Sequence, residues 1–215
     1  MLASWGCTAV FGGYQDSNFV TAVHSAGMKI YAEFGCFVGA DWWRDVPASR
    51  PIMSDGQRLA GEDSYHGVTP AIPQVREALL AKLEDFLTAH EIDGVWLDFI
   101  RWPCHWESSA PVLPLTSFDP VTLARVVEDM GIKLPGGGVT ARARFLLEDC
   151  REAWSRWRCD QITSWVAEAR RILDRTRPGA TLGLFGVPWL RADFGGAILD
   201  VIGQDYPALS ETVDV

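Results

Sequence analysis

Short apolar runs alternate with longer amphipathic segments along the chain. The apolar runs have the length and continuous hydrophobicity of strands buried on both faces of a parallel sheet, and turn-forming residues bound them. They predict six strands, at residues 5–11, 28–37, 65–69, 94–100, 181–187 and 198–203.

The intervals between these runs contain apolar residues at helical spacing. Between residues 73 and 90, for example, the apolar positions recur at spacings of three, four and seven, which places them on one face of a helix. A helix N-cap, a first-turn proline or a closing glycine marks several of the ends. The pattern predicts helices at residues 16–26, 73–90, 119–131 and 140–177.

Alternating strands and helices imply a parallel sheet with right-handed crossovers, and therefore an α/β fold. The six strands predict a single (β/α)8 TIM-barrel-like domain over residues 1–215, with about six of the eight β-α units. Residues 213–215 resemble the entry to another strand, so we expect a barrel that is incomplete at the C-terminus. A self-contained doubly wound sheet is the alternative, but no G-x-G-x-x-G or Walker-type glycine pattern follows the first strand.

Composition narrows the class of protein. The 215 residues are 48% hydrophobic and 22% charged, which is typical of a globular domain. The net charge of −9 argues against nucleic acid as a partner, because phosphate binders present a basic face. No segment has the ~18 apolar residues that a membrane span requires. Residues 1–11 lack the features of a signal peptide, so we expect either an intracellular protein or a natural start further upstream.

The five cysteines are too sparse for a disulfide scaffold, and they contain no C-x-x-C pair. Paired histidine or cysteine spacing is also absent from the sequence, so we expect no metal and no other cofactor. The sequence carries no signal for an oligomeric state.

The segment 93–103, DGVWLDFIRWP, carries the strongest chemical signal. It reads as a buried strand that is entered through Asp-Gly and closed by proline, with Asp98 near its end. An ionised carboxylate there is costly unless it is paired, hydrated or part of a site. In parallel α/β architectures, reacting groups sit at the C-terminal ends of strands. Asp98 is therefore the first candidate for chemistry.

This segment resembles the D-G-hydrophobic-x-L-D-x-x-R-x-P signature of glycoside-hydrolase-like (β/α)8 barrels. The stretch HGVTP at 66–70 resembles the short third strand of such proteins, and residues 154–158 resemble the helix before their fifth strand. FGVPW at 185–189 and GQD at 203–205 resemble the ends of their fifth and sixth strands. The resemblance covers most of the chain, and it implies a glycosidase that cleaves a poly- or oligosaccharide with strand-end carboxylates.

Glycosidic hydrolysis usually requires two carboxyl groups whose environments separate their pKa values. The resemblance places a catalytic carboxylate at Asp98, as the nucleophile or base. Glu33, near the end of the second predicted strand, is a candidate acid, and Asp205, after the sixth, is a candidate second carboxyl. Purely structural roles are the alternatives: for Asp98 an ion pair with Arg101 or a cap on the following loop, for Glu33 an arginine partner, and for Asp205 a turn position.

The expected partner is a carbohydrate. An arginine beside Asp98 would lower the pKa of that carboxylate and orient it, or would bind a substrate hydroxyl. Tryptophans in the loops that follow strands can stack on sugar rings, or they can fill the top of a barrel. The candidate substrate-binding residues are Arg101, Trp42, Trp43, Trp102, His105, Trp106 and Trp189.

Two other functions compete with a glycosidase. A non-catalytic carbohydrate-binding barrel would keep the aromatic cleft and lack a catalytic group. A metal-dependent hydrolase or sugar-phosphate enzyme is disfavoured, because the sequence has neither H-x-H spacing nor a glycine-rich phosphate loop.

Overall fold

The computed structural model describes residues 2–13, 16–61, 65–107 and 110–215. Within these ranges, four parallel strands form one sheet, and their order across the sheet is their order in the chain. The strands are β1 (Ala9–Gly12), β2 (Lys29–Gly35), β3 (Gly94–Asp98) and β4 (Thr181–Leu184).

Helices cover one face of this sheet. Asp16 caps the first of them, because its carboxylate accepts hydrogen bonds from the N–H groups of Asn18 and Phe19, both at 3.0 Å. In the described ranges the α-helices are α1 (Ser17–Ser25), α2 (Ala40–Asp45), α3 (Pro73–Ala89), α4 (Pro120–Met130), α5 (Gly138–Glu148), α6 (Arg151–Thr176) and α7 (Tyr206–Leu209). Short 3-10 turns lie at Ala3–Trp5, Pro47–Ser49 and Asp193–Gly195.

The predicted helices at 16–26, 73–90 and 119–131 are confirmed to within one or two residues. The predicted helix at 140–177 is instead two helices, α5 and α6. The break falls at Asp149 and Cys150, whose N–H groups both bond to the carbonyl of Phe145, at 2.9 and 3.1 Å. Cys150 leaves the helical backbone with a φ of −123°, and α6 begins at the next residue.

Two of the six predicted strands are wrong. Residues 65–69 contribute isolated bridges rather than a strand, among them an antiparallel one between Val38 and Gly67, and β2 pairs directly with β3. The other run forms a π-helical turn, Ile198–Ile202, which Gly203 ends with a φ of 76°. Both runs are largely buried, and a short buried apolar run has the same composition in a strand, a turn or a helix.

Residues 214 and 215 lie along the outer edge of β4. The N–H of Asp214 donates to the carbonyl of Leu182 at 2.8 Å, and the N–H of Leu184 donates to the carbonyl of Val215 at 3.2 Å. These bonds agree with the prediction that residues 213–215 enter a further strand. The described residues therefore show an α/β fold with an open parallel sheet, which contains four of the six strands predicted.

The two faces of the sheet differ in character. Ile30, Val95 and Leu182 point toward the helices, and each is fully buried or nearly so. The opposite face, which we call the inner face, carries aromatic side chains packed edge to face. The ring pairs are Phe11–Trp96 at 5.1 Å, Tyr31–Trp96 at 4.9 Å and Phe11–Phe185 at 5.6 Å between centroids.

A second aromatic cluster lies in the core beside α6. Trp102, Trp154 and Trp157 pack with ring centroids 5.3 to 6.5 Å apart. Arg158 is 2% exposed, and its guanidinium carbon lies 4.0 Å from the ring centroid of Trp102. Burial lowers the pKa of Arg158 to about 9. This cluster ties the loop after β3 to α6.

Candidate functional site

Two carboxyl groups meet at the C-terminal ends of β2 and β3. The strand register places Glu33 opposite Trp96, and Gly35 opposite Asp98. Since side chains two residues apart share a face, Glu33 and Asp98 both project from the inner face. Glu33 is exposed and Asp98 is half-buried. This end of a parallel sheet is where α/β enzymes place reacting groups.

The environment of Glu33 favours its protonated form. Burial is the first cause of a raised pKa at Glu33, and the charge of Asp98 and a hydrogen bond with it add to the shift. Glu33 therefore keeps its proton to a higher pH than a free glutamate does. The arrangement can both donate and accept a proton, which is what acid–base chemistry requires.

Removing the charge of Glu33 is expected to stabilise the fold at neutral pH. Because the pKa of Glu33 is raised, the folded protein holds this proton more tightly than the unfolded chain does, and stability falls as the pH rises through that pKa. Glu33→Gln therefore has a higher Tm than wild type at about pH 7 and the same Tm at about pH 4. Thermal unfolding at both pH values measures the difference, with Glu77→Gln on the exposed surface of α3 as the control. A Tm difference that does not change with pH contradicts the expectation.

The backbone turns sharply directly after Asp98. Phe99 has a φ of 51°, the left-handed region that few non-glycine residues adopt. Its N–H donates to the Asp98 side chain at 2.7 Å, so the carboxylate is held at the point where the strand ends. Burial, and then the charge of Asp98, raise the pKa of the neighbouring Cys36 thiol well above its usual range. Cys36 is therefore a protonated core residue, not a nucleophile.

Arg101 makes its contacts with the loop after β3. Its guanidinium donates to the carbonyl of Cys104 at 3.4 Å and lies 3.5 Å from the carboxylate of Glu107. The same group stacks over Phe99 at 4.9 Å. No ion pair between Arg101 and Asp98 occurs among the residues that the structure describes. Of the two structural alternatives for Asp98, the pair with Arg101 is therefore not present, whereas the hydrogen bond from the Phe99 N–H fits a cap on the following loop.

A cavity of about 320 Å³, which we call the Asp98 cavity, opens beside the two carboxyl groups. Its walls come from the β2 and β3 ends and from the loops that follow β3 and β4. The lining residues are Glu33, Asp98, Phe99, Arg101, Trp106, Glu107, Phe185, Gly186, Val187 and Pro188.

Glu107 is a lining residue that the sequence reasoning missed. It lies in the loop after β3, and its carboxylate is 3.5 Å from Arg101 and 3.4 Å from His105. The sequence feature that could have identified Glu107 is its position in the loop that follows β3, the strand that ends at Asp98. His105 is itself exposed and stacks on Tyr65 at 5.8 Å, so it supports the wall rather than lining the cavity.

Asp205 lies outside the Asp98 cavity. It precedes α7 and lines a different cavity, together with Cys159 and Asp160 of α6. After burial, the charge of Asp205 raises the pKa of Cys159, which reaches about 12. The structure therefore does not bring Asp205 to Asp98, because the predicted sixth strand that would have carried it there is a π-helical turn.

Apart from Trp102, the candidate tryptophans divide into three groups. Trp106 lines the Asp98 cavity. Trp42 lines a second cavity, of about 370 Å³, which we call the Trp42 cavity and which also includes Glu33. Trp43 and Trp189 pack against local partners: Trp43 donates to the carbonyl of Gly67 at 3.0 Å, and Trp189 stacks on Phe194 at 4.6 Å.

The prediction that Trp102 binds substrate is wrong. Its side chain is fully buried, and its indole N–H donates to the carbonyl of Arg158 at 3.0 Å. A ring in that position cannot stack on a sugar, so Trp102 holds the loop after β3 in place. The apolar residues around it could not be distinguished in the sequence from those of an exposed loop.

Within the described ranges, no group of three or more histidine, cysteine, aspartate or glutamate side chains is arranged to hold a metal ion. Over the same ranges, none of the helices is long and apolar enough to cross a membrane.

Comparison with known proteins finds similarity in structure alone. No protein-family model matches the chain, and no curated protein matches it. Solved structures do match. The PgaB (BpsB) glycoside hydrolase domain from Bordetella bronchiseptica superposes with a TM-score of 0.63 at 14% identity, over 96% of this chain and 62% of that chain.

Two further solved structures belong to the same broad class. The catalytic domain of β-amylase from Paenibacillus polymyxa has a TM-score of 0.59 at 13% identity, over 98% of this chain and 68% of that chain. Alpha-L-fucosidase isoenzyme 2 from Paenibacillus thiaminolyticus has a TM-score of 0.55 at 10% identity, over 91% of this chain and 30% of that chain.

These neighbours define the class of fold. The chain has a glycoside-hydrolase-like fold, and at such low identities the similarity extends to the fold alone. The chain spans less than two thirds of the length of the fucosidase and PgaB structures.

Proposed function

We propose that this chain carries the catalytic carboxyl pair of a glycosidase that acts on a poly- or oligosaccharide. The observation that carries the proposal is the meeting of Glu33 and Asp98 in one cavity at the C-terminal end of a parallel sheet, with the pKa of Glu33 raised. The glycoside hydrolase neighbours support it, because the same fold in those proteins serves glycoside hydrolysis.

The environments of the two carboxyl groups suggest their roles. Glu33, whose pKa is raised, is the proton donor to the leaving oxygen of the glycosidic bond. Asp98, which accepts the Phe99 N–H, is the ionised group that acts as base or nucleophile. Arg101 holds Glu107 on the cavity wall, where both can bind substrate hydroxyls.

Hydrolysis by the Glu33→Gln variant tests the proposed acid. Gln keeps the size of Glu33 and cannot supply a proton, so kcat is expected to fall about a hundredfold on the substrate that wild type cleaves best. Release of reducing ends from a panel of neutral, acidic and amino polysaccharides identifies that substrate. Substrates with a good leaving group, such as aryl glycosides, need less acid catalysis, and the variant should retain more of its activity on them. A variant that keeps wild-type activity on unactivated glycans contradicts this role.

A non-catalytic carbohydrate-binding domain is the second candidate. Trp106 and Trp42, which line the two cavities beside Glu33, favour it, because aromatic rings can hold a glycan without a catalytic group. Calorimetric binding of a glycan by wild type, without release of reducing ends, would support this candidate and reject the enzyme.

A further inference from the structure

Glu33 lies between two cavities. It lines the Asp98 cavity together with Trp106, and it lines the Trp42 cavity together with Trp42 and Lys82. The volumes are similar, about 320 and about 370 Å³. The proposed proton donor thus borders both cavities, which we together call the groove.

Different elements build the two halves of the groove. The loops after β3 and β4 form the Asp98 cavity, whereas the upper end of β2, α2 and α3 form the Trp42 cavity. Both halves consist of described residues of this chain. Glu33, at the end of β2, is the one described lining residue that the two halves share.

The Trp42 ring is held firmly in place. The Lys82 ammonium lies 4.5 Å from its centroid, a cation–π contact that connects α2 to α3. A Cβ at Gly39 would lie 3.3 Å from Cδ1 of Trp42, so the ring packs on bare backbone. Gly39 also has a φ of 135°, which favours glycine. A fixed, half-buried indole presents an apolar face at little cost in side-chain entropy.

Each half of the groove thus offers an aromatic surface. Trp106 and Phe185, whose side chain is 39% exposed, line the Asp98 half, and Trp42 lines the other half. Apolar faces of this kind can stack against sugar rings, while carboxylate and guanidinium groups bind the hydroxyls. Sugar units can therefore occupy both sides of Glu33 at once.

We propose that the chain binds a polysaccharide across Glu33 and cleaves it internally, with Trp42 as a subsite residue remote from the cleaved bond. This inference rests on the proposed function. In the reaction, the bond between the anomeric carbon and the glycosidic oxygen breaks, and the Glu33 proton passes to the leaving oxygen. Water supplies the oxygen that bonds to the anomeric carbon, and its proton returns to the carboxyl pair.

The wild-type product pattern is the first test. Internal cleavage lowers the viscosity of a soluble polysaccharide steeply while few reducing ends appear, and early products have many lengths. If mono- or disaccharides are the sole products from the start, the enzyme cleaves its substrate from one end. That result overturns internal cleavage but leaves the proposed glycosidase function intact. If no glycan is cleaved at all, the proposed function fails, and the inference fails with it.

The Trp42→Ala variant is the second test. It is expected to lower kcat/KM on polymer and long oligosaccharides about tenfold and to leave the shortest cleaved oligosaccharide within about twofold of wild type, because remote contacts act on long substrates alone. Trp5→Ala is the matched control, since Trp5 is 68% exposed and lines neither cavity. An equal loss on short and long substrates overturns the subsite role.

Discussion

Asp98→Asn is expected to lower kcat about a thousandfold on the best glycan substrate while leaving the fold intact. Asn retains a side-chain oxygen that can accept the Phe99 N–H, now at 2.7 Å from the carboxylate, so the turn after β3 persists. It removes the negative charge that serves as base or nucleophile in the proposed reaction. Steady-state kinetics on the substrate found with wild type, together with circular dichroism of both proteins, measures the loss.

Asp205→Asn provides the matched comparison for this prediction. Asp205 follows an apolar run of the sequence, much as Asp98 ends one, but it lies in a loop and lines a different cavity. Its variant is expected to remain within about twofold of wild type. If both variants lose activity to the same degree, the assignment of chemistry to the Asp98 cavity is wrong.

Arg158→Ala is expected to lower the free energy of unfolding by about 3–5 kcal/mol. The guanidinium is fully enclosed, stacks on Trp102 and donates to the carbonyls of Thr116 at 3.1 Å and Val201 at 2.8 Å. Truncation leaves a cavity and two buried carbonyls without these donors. Against a typical total stability of about 5–15 kcal/mol, this loss is large. Urea unfolding followed by tryptophan fluorescence measures it as a lower midpoint.

Two variants separate packing from charge in this prediction. Arg158→Met fills much of the same volume and removes a costly buried cation, so its loss is expected to be smaller than that of Arg158→Ala. Arg156→Ala is the surface control: Arg156 lies two residues earlier on α6, is 69% exposed in its side chain and pairs with Glu152 at 3.0 Å. Its effect is expected within about 0.5 kcal/mol. Equal shifts for Arg156→Ala and Arg158→Ala would contradict the role of Arg158.

The periodicity of apolar residues in the sequence was sufficient to predict most helices and strands of the fold. The helix at 73–90 has its apolar residues on one face, and a proline begins it, so both its type and its limits could be predicted. Strand β3 has a continuous apolar run between Asp-Gly and a sharp turn, which is equally specific. These signals are local, and local signals are what a single sequence carries.

The wrong predictions concern segments whose secondary structure is determined by tertiary packing rather than by local sequence. Residues 65–69 and 198–203 are short and apolar, and either could be a strand by composition. Pairing partners determine the outcome, and β2 already has β3 on that side. The break between α5 and α6 has no proline or glycine to mark it, so no local signal predicts that the helix divides there.

The site was predictable in part for the same reason. Glu33 and Asp98 each close an apolar strand, and parallel pairing then brings them to one edge, so their proximity follows from local signals plus a general rule of α/β folds. The orientation of Arg101 toward Glu107, and the burial of Trp102, depend on where a loop folds back. That information is not contained in residue spacing.

The sheet has a consequence for how the chain reaches this structure. Each strand lies next to the strand that precedes it in sequence, so no segment has to be inserted between two that have already paired. A nascent chain can dock each β-α unit on the previous one as it leaves the ribosome. At each stage the newest β-strand lies at a border of the sheet, where the next part of the chain can pair with it, as residues 214 and 215 pair with β4.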